Sequence, residues 1–491
     1  MNIFIAGYYG FGNLGDELLL LKVLKDISNT VKASFFVWTS DPNYTVNFLE
    51  KRYPVTPIYR YDSETTIKAI QNSDLVIVGS GGLIQEYNFI DLNYWFTNFG
   101  DGLVSYALPA LIGKIFKKPV FYWALGHGPL FTTTGKLFAT WFYSLADCIT
   151  LRDALSFSQV KELLVKPQKI FLDTDPLLDP KEDLSSLVGT KPESEEHLLG
   201  ISLRNWYTTD QLLEALSSSL CRLLTAKKDL RISLISAQPL VDFEVQKKLF
   251  SVLPRDRVTL VEEKDPLRIA REILRCRFFV GMRLHGVILS SRAGIPTLLI
   301  SYDLKTTYFA REYNLPYLEA LPQNFSELEL ALEKLLESDF TPLSITKDYI
   351  TPTIFRKFIS GALNMKHQDL EKEGISINHD HNLAIENLHY QREYYFREMN
   401  KFKHLAQSLA TERDRLAKEL QNAYQEIERQ REEIERQKEE ISNLLIRLTE
   451  IYDSNLWKIA KAYYRLRDRT IFRYIYRLYR PILDRIFKKA N

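Results

Sequence analysis

Phe279-Val280-Gly281-Met282-Arg283-Leu284-His285-Gly286 is a strand-like apolar run that ends in a short loop carrying an Arg and a His. A second apolar run, Pro296 to Ser301, ends in Ser301-Tyr302-Asp303-Leu304-Lys305, which places the lysine twenty residues past His285. The interval between the runs leaves room for one helix. In an α/β sheet, consecutive strands joined by a helix put both loops on the carboxyl edge, where ligands bind. A proton-transferring imidazole and two cations, Arg283 and Lys305, are therefore expected to face one crevice. That combination suits an anionic substrate that must be protonated.

The same alternation extends to both sides. Residues 1–165 place candidate strands at Ile3–Ala6, Ser34–Trp38, Leu75–Val78, Val120–Ala124 and Cys148–Leu151, with helical patterns between them, which reads as a parallel α/β sheet. Pro167, Pro176, Pro180 and Pro192, among acidic and hydroxyl residues, mark an interdomain passage. A second α/β domain, 166–340, has strands near Leu199–Leu203, Arg231–Ser236, Val258–Leu260, Phe278–Gly281 and Thr297–Ser301. Helices over Asp210–Thr225 and Pro266–Arg275 separate them, and one at about Ser326–Glu337 closes the unit. The expected core is two such domains facing each other across a cleft.

Residues 341–387 are polar and mixed and read as a connector. From 388 to 451 the pattern becomes heptads. Met399, Ala406, Arg413, Leu420, Ile427, Ile434, Ile441 and Leu448 share one core position, and Tyr395, Phe402, Leu409, Leu416, Ala423, Gln430, Gln437, Leu444 and Ile451 the other. Sustained heptads flanked by Glu, Arg and Lys argue for a left-handed coiled coil, on the order of 95 Å long, and a homodimer through it. Gln430 and Gln437 at core positions leave open a single solvated helix. The last segment, 452–491, interleaves Trp457, Tyr463, Tyr464, Phe472, Tyr474, Tyr476 and Tyr479 with basic residues. Residues 451–491 hold eleven Lys/Arg against three Asp. A basic aromatic amphipathic tail suits an anionic membrane surface or a protein partner. No nucleic-acid motif accompanies it. On this reading a cut after about residue 345 leaves a working head.

Length and composition agree with that organisation. A chain of 491 residues is too long for one core, and 45% hydrophobic with 26% charged residues is ordinary for a globular protein. The net charge of +2 hides the basic tail. Cys148, Cys221 and Cys276 are odd in number and far apart, as in a reducing compartment. The N-terminus lacks a basic leader, and the longest apolar stretch, Leu103 to Leu125, is broken by Lys114, Lys117 and Lys118. The expected location is the cytoplasm, at the inner face of the membrane where the tail binds it.

The glycine loops decide between chemistries. Gly7-Tyr8-Tyr9-Gly10-Phe11-Gly12-Asn13-Leu14-Gly15-Asp16-Glu17 follows the first strand and contains G-x-G-x-x-G, the pattern of a dinucleotide loop. A pyrophosphate, however, needs the positive end of the next helix, and Asp16 and Glu17 stand there and repel it. Asp16 is free to cap the helix, and the loop reads as a cleft-lining turn in which Gly12 gives room and Asn13 and Asp16 bind hydroxyls. Gly79-Ser80-Gly81-Gly82 ends another strand, and Gly81 and Gly82 either let backbone N–H groups approach a ligand or make a tight turn. Arg152, at the end of Cys148–Leu151, either forks onto phosphate or carboxylate or pairs with Asp153; Arg204, after Leu199–Leu203, has the same standing. His127 reads as polar surface. Asp173-Thr174-Asp175 has the D-x-D letters of a metal-holding pair but, before Pro176, reads as a structural loop, and no metal site is expected. No zinc spacing, Walker loop or G-x-S-x-G elbow occurs, which removes several enzyme classes.

Gly7–Glu17, Val78–Gln85, Leu151–Ser156, Gly200–Arg204, Gly281–His285 and Ile300–Lys305 together resemble the polysaccharide pyruvyl transferase family, of the kind that ketal-pyruvylates bacterial cell-wall and exopolysaccharide sugars. The resemblance spans about residues 1–340 and is carried by M-R-L-H plus S-Y-D-x-K. It implies a glycosyltransferase-B-like fold of two Rossmann-like domains, with phosphoenolpyruvate as donor substrate and no further cofactor. It also implies that His285 and Lys305 are the family's essential pair and Arg152 its anion-binding arginine. The acceptor is then a lipid- or nucleotide-linked saccharide. The chemistry suits these residues, because phosphoenolpyruvate carries a carboxylate and a phosphate and must be protonated at its methylene carbon. Arg152, Lys305 and Arg283 supply the cations, and His285 is a suitable general acid. A nucleotide-sugar glycosyltransferase of the same fold and a non-catalytic glycan-binding scaffold are the competing readings.

Overall fold

The computed structural model of the chain describes residues 1–49, 52–86, 105–130, 132–164, 169–190, 192, 197–206, 208–339 and 341–372, and further along 425–426, 428–447, 449–450, 455–467, 477 and 480. These fall into two compact units, 1–381 and 382–491. The first unit contains two parallel sheets. The strands of the first are β1 (Asn2–Ala6), β2 (Ser34–Thr39), β3 (Val55–Tyr59), β4 (Leu75–Ile84), β5 (Val120–His127), β6 (Cys148–Leu151) and β7 (Lys169–Leu172), in the order β3-β2-β1-β4-β5-β6-β7. The second holds β8 (Leu198–Ser202), β9 (Arg231–Ile235), β10 (Val258–Val261), β11 (Phe278–Gly281), β12 (Thr297–Ser301) and β13 (Tyr317–Glu319), ordered β10-β9-β8-β11-β12-β13.

Both orders reverse direction beside the first strand of the sheet, between β1 and β4 and between β8 and β11. A crevice opens at such a switch point, outside the carboxyl ends of the strands. Central strands are apolar throughout because helices cover both faces: β4, β5, β11 and β12 are buried along their whole length or nearly so. The two-domain α/β architecture expected from the sequence is the one the chain forms. The three strands it did not anticipate, β3, β7 and β13, are sheet edges with mixed exposure.

The Leu14–Thr30 helix joins the domains. Its run of leucines is buried on nearly all sides, and it packs against helices Pro266–Arg275 and Leu284–Arg292 of the second domain. The Pro266–Arg275 helix is built for this. Asp265 caps it, Pro266 fits the first turn, and Leu267, Ile269, Ala270, Ile273 and Leu274 form one buried face. Beside them the Lys22 ammonium lies 2.5 Å from Asp26, 3.0 Å from Asp179 and 3.5 Å from Glu182, clasping the first helix to the interdomain passage.

The stretch 341–387, expected as a polar connector, carries a helix, Thr351–Lys372, and returns to the first domain. Asp173 accepts the backbone N–H groups of Ile350 (2.9 Å) and Thr351 (2.6 Å) at the start of that helix. Phe355 lies fully buried against Phe121 and Trp123, and the Tyr349 hydroxyl receives the Trp123 indole N–H at 2.7 Å. A cut after 345 therefore removes core, which corrects the boundary drawn from polarity alone.

In the second unit the described residues between 425 and 450 are helical, and Ile434, Ile441 and Leu444 are half exposed on them. A further helix spans Asn455–Arg467. The heptad positions from Tyr395 to Ala423, with Ile427, Leu448 and Ile451, and the tail aromatics Phe472, Tyr474, Tyr476 and Tyr479 lie outside the described residues. Among the described residues no helix is long and apolar enough to cross a membrane.

The return helix gives the first test. Phe355→Ala is expected to destabilise the first unit by about 3–5 kcal/mol, the usual cost of emptying a buried phenylalanine site. Denaturant unfolding measures it, and a loss below about 1 kcal/mol contradicts a core role for this segment.

Candidate active site

Three loops at the carboxyl edges bring together the cations singled out in the sequence. Arg152 follows β6, His285 begins the Leu284–Arg292 helix after β11, and Lys305 begins the Leu304–Glu312 helix after β12. Arg152 and His285 meet at Asp175, a buried residue just after β7 that caps the short turn Pro176–Leu178. Its Oδ2 accepts from Arg152 Nη1 at 3.1 Å and lies 3.2 Å from His285 Nε2, while Oδ1 accepts from the Leu177 N–H. Burial opposes its charge, but His285 and Arg152 prevail and hold its carboxyl down at about 2. An ionised carboxylate only accepts, so His285 Nε2 carries the hydrogen that points at it. Sequence reading passed over Asp175. The available signal was its D-x-D beside a sheet edge, which reads more simply as a loop.

The other imidazole face lies on Gly15, where a Cβ would fall 1.8 Å from His285 Nδ1. Only glycine allows the first helix of one domain to approach the histidine of the other so closely. Lys305 donates to Gln85 Oε1 at 2.8 Å and lies 3.5 Å from Asp303. Gly82 sits between the cations: a Cβ there would stand 3.5 Å from Arg152 Nη2 and 3.6 Å from Lys305 Nζ. A point beside Gly82 is thus within ion-pairing reach of both. Arg152, Asp175 and Lys305 also line a pocket whose apolar wall is Leu178, Leu284, Ile288 and Phe309.

Asp16 is buried in the first turn of the Leu14–Thr30 helix. Burial raises its carboxyl to about 6, against the pull of His285, Arg152, Arg283 and Lys305, so it shares the field of all four. Gly81, at a φ of +108°, turns its Cα toward this carboxylate, and a Cβ there would lie 2.7 Å from Asp16 Oδ1. The helix is capped by Asn13, whose Oδ1 accepts from the Gly15 N–H at 3.1 Å, and not by Asp16. Gly12 and Gly10 donate their N–H groups to Glu17 Oε1, at 3.2 and 2.8 Å. Those donors are therefore already taken, which is a second physical reason against a phosphate in the loop.

Arg283 and Arg204 stand apart from this cluster. Both forks of Arg283 meet Asp242, at 2.8 Å each. Arg204 lies over the rings of Tyr302 (4.5 Å) and Trp206 (5.1 Å). His127, expected on the surface, is buried beside Tyr143, and burial lowers its pKa to about 4. Asp173 is occupied in holding the return helix.

Two parallel sheets whose carboxyl edges share a carboxylate, an imidazole and two cations define a two-domain, glycosyltransferase-B-like α/β protein. Among solved structures, the chain resembles the S. aureus MnaA–UDP co-structure at 13% identity and a TM-score of 0.51, over 74% of this chain and 96% of that one. It likewise resembles the UDP-GlcNAc 2-epimerase from Methanocaldococcus jannaschii at 10% identity and a TM-score of 0.51, over 73% and 100% of the respective chains. At such identities the likeness is one of fold. The sequence model of the polysaccharide pyruvyl transferase family matches residues 13–303, and the chain belongs to that family.

Glu17 provides a test of the electrostatics. Its carboxyl is raised to about 8, first by burial, and its Oε2 is buried without a hydrogen-bond partner. A raised carboxyl pKa means that the native state holds a proton the unfolded state has lost, so stability should fall as pH rises from about 4.5 to about 8. Glu17→Gln keeps an oxygen for Gly10 and Gly12 and never ionises. It is expected to match the wild type near pH 5 and exceed it by a few kcal/mol at pH 8.5. Parallel thermal melts across that range check this, and a constant difference between the two proteins contradicts it.

Proposed function

We propose that the chain transfers a pyruvyl group from phosphoenolpyruvate to a saccharide, forming a ketal at two of its hydroxyls. The observation that carries this reading is that Arg152 and Lys305 converge beside Gly82 with His285 3.4 Å from the Arg152 fork, in a family of polysaccharide pyruvyl transferases. The donor has two acidic groups and an enol ester. One acidic group sits beside Gly82, between the guanidinium of Arg152 and the ammonium of Lys305. Charge-assisted hydrogen bonds from both give the donor its affinity and stabilise the charge that builds on departing phosphate.

His285 protonates the methylene carbon, and the donor's C2 becomes electrophilic. A saccharide hydroxyl attacks C2, the C2–O bond to phosphate breaks, and phosphate departs with that electron pair. A second hydroxyl then closes the ketal. Each hydroxyl loses one proton: one restores His285 and the other ends on the departing phosphate. Asp16, raised to about 6 by burial and facing the same cations, is the carboxylate placed to receive a hydroxyl proton. Asp175 holds the imidazole hydrogen and the Arg152 fork in register.

Phosphate release from phosphoenolpyruvate in the presence of candidate saccharide acceptors tests the reading. His285→Ala is expected to lower turnover by ~10²–10⁴-fold, the usual worth of a general acid. Gly82→Ala, which needs no strained backbone, should chiefly raise the KM for phosphoenolpyruvate, because its methyl occupies the space between the two cations. Near-wild-type turnover by His285→Ala, or transfer from a nucleotide sugar instead, overturns the assignment.

We further propose that the second unit assembles the enzyme and holds it at an anionic membrane surface. Half-exposed Ile434, Ile441 and Leu444 on a helix are a seam for a second copy, and two basic aromatic tails displayed together bind far more strongly than one. Cutting after His381, beyond the return helix, should leave pyruvyl transfer to a soluble acceptor intact. The truncated protein should scatter light as a smaller species and no longer sediment with anionic vesicles. Unchanged mass and unchanged sedimentation reject both roles.

A further inference from the structure

Three of the cations along the cleft already have carboxylates. Arg152 is 3.1 Å from Asp175, Arg283 is 2.8 Å from Asp242, and Lys305 is 3.5 Å from Asp303. Arg204 differs. Among the described residues it forms no ion pair, and its Nε is buried without a hydrogen-bond partner. Its position is nonetheless fixed. The backbone N–H bonds the Met282 sulfur at 3.4 Å, and the guanidinium lies over the rings of Tyr302 at 4.5 Å and Trp206 at 5.1 Å. The two rings are 4.9 Å apart and only partly buried.

This platform stands on the same carboxyl edge as the catalytic groups. Arg204 follows β8, Met282 and Arg283 follow β11, and Tyr302 follows β12, and these three strands are neighbours in the sheet. Tyr302 is three residues from Lys305, and Met282 three from His285. Across the crevice, the Tyr8 ring stacks on Phe11 at 4.1 Å, and the Tyr8 hydroxyl receives a hydrogen bond from Gln238 of the second domain. Aromatic faces suit the C–H faces of a sugar ring. A stacked guanidinium with no carboxylate suits an anion, which it can meet with a rigid fork.

We propose that Arg204, Trp206 and Tyr302 form the acceptor subsite and that Arg204 takes the diphosphate through which the acceptor saccharide is attached to its carrier. The inference rests on the pyruvyl transfer reading and adds to it the residues that recognise the carrier end of the acceptor. The donor occupies the Arg152–Lys305 side of the edge, and the acceptor's anionic end occupies the Arg204 side. The sugar hydroxyls then lie between them, toward His285 and Asp16.

Calorimetric titration of the full chain tests this without any turnover. The probes are a uridine diphosphate sugar, the same sugar on a farnesyl diphosphate, the free sugar, and phosphoenolpyruvate. The wild type is expected to bind at least one diphosphate-linked probe more tightly than the free sugar, and the better of the two identifies the carrier. Arg204→Gln should raise the Kd for that probe roughly 10- to 100-fold, the worth of hydrogen bonds to a charged group, and leave phosphoenolpyruvate affinity unchanged. Arg204→Lys, which keeps the charge without the flat fork, should fall between them, and Trp206→Ala should weaken the diphosphate-linked probe and the free sugar alike. Equal binding of free and diphosphate-linked sugar by the wild type overturns the proposal. An Arg204→Gln protein that binds the linked sugar as the wild type does overturns it too, as does one that loses phosphoenolpyruvate and linked sugar together. If the wild type binds the linked sugar through Arg204 but not phosphoenolpyruvate, the donor assignment fails and the subsite stands.

Discussion

One buried carboxylate ties the carboxyl edges of the two sheets together. Asp175 takes a guanidinium from the first domain and an imidazole from the second on the same oxygen. A charge without water is tolerable only when its partners are in place, and removing one partner of such a group typically costs about 3–5 kcal/mol. The cost enforces geometry. Arg152 and His285 cannot both satisfy Asp175 unless the two sheets present their carboxyl edges at this separation. Gly15 under the imidazole and the Lys22 clasp on the passage hold the same arrangement from other sides.

The central strands, and the position of His285, Lys305 and Arg152 at strand ends, were legible in the sequence because each is a local pattern. A buried parallel strand must be apolar along its length, and a loop residue at its end must lie on the ligand edge. The edge strands were not legible for the converse reason. Lys169–Leu172 exposes most of its residues, and Val55–Tyr59 contains a proline, which only an edge tolerates. Asp175 and the return helix were hidden for a third reason. Their roles depend on contacts 110 and more than 170 residues away, with His285 and with Ile350 and Thr351, and no local periodicity encodes such pairings.

Arg283 shows the limit of composition as a guide. By charge and position it looked equal to Arg152 and Lys305, yet a buried aspartate on a neighbouring helix takes both of its forks. What separates these cations is where their partners leave them. Arg152 and Lys305 both border the space beside Gly82, whereas Arg283 is closed by two parallel hydrogen bonds to Asp242. That distinction lies in the packing of helix Pro239–Val252 on the second sheet, and Asp242 in the sequence carries no sign of it.

The carboxylates around the site divide along similar lines. Asp175 lies between two cations and is held fully ionised, whereas Asp16 shares their field from a more costly position and ends near 6. Glu17, one residue on, faces its own loop's N–H groups and Asp16 and ends near 8. Three acids within one crevice are therefore set as a fixed anion, a group that can exchange a proton near neutrality and a neutral hydrogen-bonding prop. Burial alone would have raised all three. The placement of Arg152 and His285 around Asp175 sets them apart, and it also brings Arg152 beside Lys305 at Gly82.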